Sequence, residues 1–182
     1  MVRKIIISCI AATSLILFST QAFALINFSV GVPLSHTFTK AEDSEGNSIK
    51  SDGVSGTFIQ VGIPILPGIG MDNYETKVKD SSTKIATTMY NLYYLLPIPV
   101  INLTIGAGLG STEVKCETCS SIYKKGGATQ VYASLGFPII PLFDLHLSYR
   151  SINSKVKGKG LLEGYEVDLA GNVTGIGFMF NF

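Results

Sequence analysis

Ile101-Asn102-Leu103-Thr104-Ile105-Gly106-Ala107-Gly108-Leu109-Gly110, residues 101–110, alternates without interruption between an apolar side chain and a small or polar one. Side chains of an extended chain point to opposite faces with period two, so this stretch predicts a strand that is apolar on one face only. The same pattern recurs outward in both directions. Phe143, Leu145, Leu147 and Tyr149 alternate with Asp144, His146, Ser148 and Arg150. Val131, Ala133, Leu135 and Phe137 alternate with Gln130, Tyr132, Ser134 and Gly136, and Ile26 to Leu34 does the same around Asn27, Ser29 and Gly31. No segment after residue 24 offers a long uninterrupted apolar helix.

Eight strands follow, over 25–38, 54–64, 68–78, 84–96, 100–114, 128–137, 142–157 and 166–182. In the third, Ile69 and Met71 share one face while Tyr74 and Val78 need the other, which predicts a bulge near Asp72 and Asn73. The eighth has a similar break of phase near Gly171 and Asn172. The connections are of two alternating kinds. Pro64-Ile65-Leu66-Pro67, Pro97-Ile98-Pro99 and Pro138-Ile139-Ile140-Pro141 are tight and apolar, with proline at strand ends where no ladder donor is needed. Segments 39–53, 79–83, 115–127 and 158–165 are longer or more polar and hold most of the Lys, Asp, Glu and Ser. Short turns at one rim and polar loops at the other are the plan of a transmembrane barrel, made here of four consecutive hairpins.

Alternation alone does not say which face is inside. A soluble carrier barrel would hold its apolar face within. Here the polar face is Gly, Ser, Thr, Asn and Gln rather than Lys and Glu, which a water-facing surface would carry. Charged residues are only 15% of the chain against 46% hydrophobic ones, well under the roughly 25% charged of a soluble domain. The expectation is therefore an all-β, eight-stranded antiparallel up-and-down transmembrane β-barrel, apolar outward, with the first strand paired to the eighth because an open edge cannot face hydrocarbon. Tyr90, Tyr94, Phe137, Phe143 and Tyr149 would form the interfacial girdle, there being no Trp.

The N-terminus is a separate unit. Arg3 and Lys4 precede an apolar run from Ile5 to Phe18, and Ala22-Phe23-Ala24 has the small-x-small form of a signal-peptidase site. The run is too short to span a bilayer. Residues 1–24 are read as a signal peptide and 25–182 as the barrel. Ile6-Ile7-Ser8-Cys9 has the form of a lipoprotein box, but cleavage there leaves too short an apolar region before it. Setting Arg3 and Lys4 aside from the 14 basic residues leaves 12 against 13 acidic ones, near −1. No basic excess draws nucleic acid.

Phe178, Phe180 and Phe182 alternate on one face at the end of the sequence. Here the chain resembles the small bacterial outer-membrane barrels of the OmpX/OmpW and OmpA-transmembrane type. In that family a final strand ending in phenylalanine is the signal read by the barrel-insertion machinery. The resemblance implies an integral outer-membrane protein with that machinery and outer-membrane lipid, lipopolysaccharide included, as partners. It implies no cofactor, and the external partner is left open.

Candidate chemistry is sparse. Cys116-Glu117-Thr118-Cys119 is a CxxC in a loop of an exported chain. No second CxxC or nearby His supports zinc, and no helix start supports a thiol redox site. A loop-closing disulfide between Cys116 and Cys119 is expected. His146 and Ser148 form an H-x-S, with Glu163 and Glu166 downstream. This is similar to the His/Ser/Glu arrangement of the outer-membrane lipid A deacylases, implying His146 as base, Ser148 as nucleophile and Glu163 as the orienting acid. The sequence departs from that family because Leu145, Leu147 and Tyr149 occupy the lipid face. The bland reading makes Asp144, His146, Ser148 and Arg150 a polar lumen row. Arg150 is the only arginine after residue 24, with Asp144, Glu75 and Lys77 as candidate partners. His36 is expected near the outer rim, in water. Three functions compete: a non-enzymatic surface barrel acting through its external loops or in envelope integrity, a lipid-modifying hydrolase, and a soluble secreted carrier.

Overall fold

Alternating, β-branched-rich segments separated by Pro and Gly pair in sequence order and close on themselves. The computed structural model describes residues 25–182 apart from 43–45, 47, 65, 99–100 and 141. The signal-peptide reading of residues 1–24, with Cys9, thus lies outside the described residues. The strands are β1 (Asn27–Phe38), β2 (Ser51–Gly62), β3 (Gly68–Val78), β4 (Lys84–Ile98), β5 (Ile101–Lys115), β6 (Gly126–Ile140), β7 (Phe143–Lys157), β8 (Glu166–Asp168) and β9 (Gly171–Asn181), with a one-turn helix α1 (Cys119–Ile122). Neighbours pair antiparallel from β1 to β7, β7 pairs with β9, and β9 returns to β1. Eight strands therefore form a closed barrel, and β8 is a short addition along the upper end of β7.

The inside-outside assignment decides between a membrane barrel and a carrier. Leu109, Tyr90 and Val131 stand on the exterior, 71%, 64% and 60% exposed, while Asn102 and Thr104 are 3% and 0% exposed. Leu103, Leu145 and Phe180 lie on the outer wall with them, each half-exposed. The oily face looks out and the small polar face looks in, so an interior apolar cavity, which the carrier needs, is not what these strands build.

Three expectations are corrected. β3 keeps one unbroken register against β4, from Gly68↔Tyr93 to Lys77↔Lys84, with no bulge at Asp72 and Asn73. Tyr74 points inward instead, because the upper lumen is itself apolar. An irregularity falls instead on β1, where the pairing to β9 shifts between Pro33 and Ser35. Leu34 and Ser35 both face out there, which reverses the phase and turns His36 and Phe38 into the lumen rather than into water. The eighth predicted strand divides: Glu166–Asp168 pairs with Lys155 to Lys157 of β7, the chain steps inward at Leu169 and Ala170, and β9 begins at Gly171.

Candidate functional site

An eight-stranded barrel leaves an interior that side chains can fill, and the inward rows of these strands fill it in tiers. At the proline-turn end, Asp144 of β7 accepts hydrogen bonds from Asn102 (2.5 Å) and Asn181 (3.1 Å). His146 sits above it, its Nδ1 3.2 Å from Ser134 Oγ and its Nε2 3.9 Å from Asp144 Oδ2. Tyr93 donates to Asn27 Oδ1, and Gln60 to the Tyr132 hydroxyl.

The middle tier is built around one charge pair. Arg150 Nε donates to Asp72 Oδ2 at 3.1 Å, and the two side chains are 3% and 0% exposed. Gln130 bridges Asp72 and Asn91 at 2.6 Å each. The guanidinium lies 3.6 Å above the centre of the Phe58 ring, with Tyr132 4.9 Å away. Stacking on one plane while hydrogen bonding in it suits a planar guanidinium and not an ammonium. Asp72 is thus the partner of Arg150. Asp144 serves the lower tier, and Glu75 and Lys77 project outward from the wall, so none of the three expected partners takes that place.

Above this, Phe58, Tyr74, Ile152 and Val173 form an apolar layer. His36 bonds Thr76 Oγ1 at 2.7 Å, and Phe38, Ala41, Ile85, Val156 and Leu169 close the loop end. The inward rings fit because glycines lie beneath them. A Cβ on Gly106 would stand 2.4 Å from the Tyr132 ring, one on Gly68 2.3 Å from Tyr93, and one on Gly136 2.5 Å from His146. A cavity of about 20 Å³ between Gln60, Ser134, His146, Ser148 and Arg150 has room for one water. The lumen is a packed core, not a conduit.

No family model matches the chain, and none of the curated proteins matches it. Among solved structures it is similar to Neisserial surface protein A, with a TM-score of 0.56 at 16% identity over 86% of this chain and 96% of that one. The outer membrane protein W of E. coli gives 0.52 at 12% identity, covering 88% and 100%. OprG, an outer membrane protein of Pseudomonas aeruginosa, gives 0.50 at 13%, covering 87% and 96%. The fold is that of the small outer-membrane barrels.

In a barrel of this kind the hydrolase arrangement is not assembled. His146 and Ser148 both face the lumen, yet each is engaged elsewhere: His146 with Ser134, Ser148 as acceptor from Arg150 at 2.5 Å. Glu163 is at the opposite end of the barrel, 77% exposed and 3.9 Å from Lys124. The row Asp144, His146, Ser148 and Arg150 stays together as lumen lining. Phe178, Phe180 and Phe182 lie on the outer wall, where Phe180 packs edge-on against Phe143 at 4.8 Å.

The loop end is knit together. Cys116 and Cys119 form a disulfide at the exit of β5. It shapes the turn into α1, after which Tyr123 bridges Gly158, Lys124 N–H bonds Lys157 O at 2.7 Å and Lys159 N–H bonds Ile122 O at 2.7 Å. On the first loop, Glu42 bridges Ser48, and Lys79 N–H reaches Lys50 O at 2.8 Å. Outside the wall, above the apolar belt, Lys115 and Lys84 lie 2.5 and 3.8 Å from Glu75. The hydrogen bond from Lys115 holds the Glu75 carboxyl below the usual range. Sequence reading missed Asp72 and the zipped loops. Asp72 was legible had the Gly68, Gly70 row been carried on unbroken; the loop pairing had no local signal.

Proposed function

We propose that the chain is an integral barrel of a bacterial outer membrane that acts without catalysis, presenting its loop rim as a surface for adhesion or interaction outside the cell. One observation carries this reading: the closed wall is apolar outward while side chains fill its interior down to a cavity the size of one water, leaving the rim as the part free to meet a partner. The likeness to Neisserial surface protein A and to outer membrane protein W supports the fold on which it rests. In this reading residues 1–24 direct export, the Phe178, Phe180, Phe182 row is read by the insertion machinery, and outer-membrane lipid with lipopolysaccharide surrounds the belt. The lumen geometry favours no second reading, since base, nucleophile and acid are not joined.

Protease treatment of intact cells tests it. Cleavage is expected in 39–50 and 117–125 with the proline turns protected, and the membrane-extracted protein should run at a heat-dependent gel position. Recovery as a soluble periplasmic monomer, or protection of both loops on intact cells, refutes the reading. Lipid A acylation is expected to be unchanged by His146→Ala when measured by mass spectrometry.

A further inference from the structure

Both ends of an outer-membrane barrel ordinarily meet water, and the proline-turn end here is not built for it. Ile63, Leu66, Ile98, Ile139, Ile140 and Leu142 are all exposed there, from 38% to 59%. No charged residue occurs in 62–71, 85–112 or 131–143, a span that takes in all three turns with the lower strands that flank them. Every lysine after residue 24 lies towards the other rim. Large apolar side chains exposed together at one end of a barrel mark a surface that something covers.

The height of the wall identifies what covers it. On β5 the outward apolar row runs from Ile101 to Leu109, a rise of eight residues, which at about 3.3 Å per residue and a tilt near 45° is roughly 19 Å. An outer-membrane apolar band is about 25 Å tall. Above Leu109 the outward residues turn to Ser111, Glu113 and Lys115, so the wall gains nothing at the loop end. Only the turns can supply the missing few ångströms.

Their backbone is adapted to that place. Exposed loops are excluded from hydrocarbon because their N–H groups find no acceptor. Each turn is bracketed by two prolines, Pro64 and Pro67, Pro97 and Pro99, Pro138 and Pro141, and each proline removes one such donor. Of the rest, Leu66 N–H is bonded to Ile63 O at 3.0 Å, and Ile98 pairs with Ile101.

We infer that the proline-bracketed rim is itself a lipid-binding surface, seated among phospholipid acyl chains at the inner-leaflet boundary rather than in the periplasm. The inference rests on the outer-membrane reading and extends it: the protein's aqueous contact is confined to the loop rim, the polar side chains behind the turns, Asn27, Asn102 and Asp144, being themselves buried.

Single cysteines replacing Leu66, Ile98 or Ile139, in a Cys116→Ser/Cys119→Ser background, carry a fluorescent probe into phosphatidylcholine vesicles. The protein is purified from membranes, and a heat-dependent gel position selects folded variants. Leu103→Cys marks the belt and Ser120→Cys the outer loop. Quenchers are iodide on both sides of the vesicle and phospholipid bearing a nitroxide on its acyl chain. Rim probes are expected to match Leu103 in lipid quenching and to resist iodide. Iodide quenching of the rim to the level of Ser120, with Leu103 still lipid-quenched, overturns the inference and leaves the barrel reading standing. Rim probes open to iodide in vesicles but shielded from a water-soluble thiol reagent in cells also overturn it, in favour of a periplasmic protein partner. Iodide quenching of Leu103 itself overturns both.

Discussion

Removal of Arg150 should be the most damaging single change in the lumen. Asp72 is fully buried, and its contacts are Arg150 at 3.1 Å and Gln130 at 2.6 Å. Arg150→Met leaves a buried carboxylate with one neutral donor, a situation that costs about 3–5 kcal/mol. That figure includes the guanidinium's stacking on Phe58, 3.6 Å away, which in a dry site contributes about 2 kcal/mol. Replacing both partners is different. Asp72→Asn with Arg150→Met leaves no unpaired charge and keeps an acceptor for Gln130, so the double variant should lie within about 1–2 kcal/mol of the parent. Arg150→Met alone is then predicted to be about 2–3 kcal/mol less stable than the double variant. Urea unfolding in phospholipid vesicles, followed by gel mobility and far-ultraviolet circular dichroism, gives the comparison; with no Trp in the chain, fluorescence is of little use. A loss below about 1 kcal/mol for Arg150→Met, or a double variant less stable than the single, would refute the pairing.

Gly106→Ala puts a Cβ 2.4 Å from the Tyr132 ring and should cost about 1–3 kcal/mol as an overpacked site, much of it recovered in Gly106→Ala/Tyr132→Leu; the same unfolding assay reads both. Leu135→Arg places a charge on the exposed wall near mid-belt, for an expected loss of about 2–4 kcal/mol in bilayers; a neutral result means the wall does not face hydrocarbon. Cys116→Ser/Cys119→Ser opens a ring of four residues, worth about 2 kcal/mol in chain entropy. Because that ring closes only a rim loop, limited proteolysis should quicken within 117–125 while the urea midpoint of the barrel holds.

Period-two alternation carries most of this fold, and its failures have a common cause. Strand three was legible to the residue, and strands four to seven to within three residues at each end, because along the belt the outward row is apolar and the inward row largely small or polar. That equation of apolar with outward breaks in the upper lumen. Tyr74, Ile152 and Val173 are apolar and inside, so a bulge was expected on β3 where none exists. On β1 the reverse happened: the run from Ile26 to Leu34 continued smoothly on paper, while Ser35 shares the outer face with Leu34 and turns His36 inward. The Arg150–Asp72 pair spans 78 residues and depends on the stagger of the four strand pairs from β3 to β7, which no single strand reveals. The disulfide was legible because its partners are three residues apart.

That stagger needs its own explanation, since the belt cannot set it. A slip of two residues between neighbouring strands returns every oily side chain to lipid and every small one to the lumen, so the outer wall tolerates it; only a slip of one is forbidden. The lumen network has no such tolerance. A two-residue slip of β3 against β4 separates Asp72 from Asn91, which Gln130 joins at 2.6 Å each, and one of β2 against β3 takes Tyr74 off its edge-on contact with Phe58. A slip of β5 against β6 that replaces Gly106 by Thr104 beneath Tyr132 sets a side chain against the ring. Such misplacements strand a buried polar group or clash with a ring, at about 1–3 kcal/mol apiece. The polar filling and its glycine seats therefore select one stagger among several that lipid would accept.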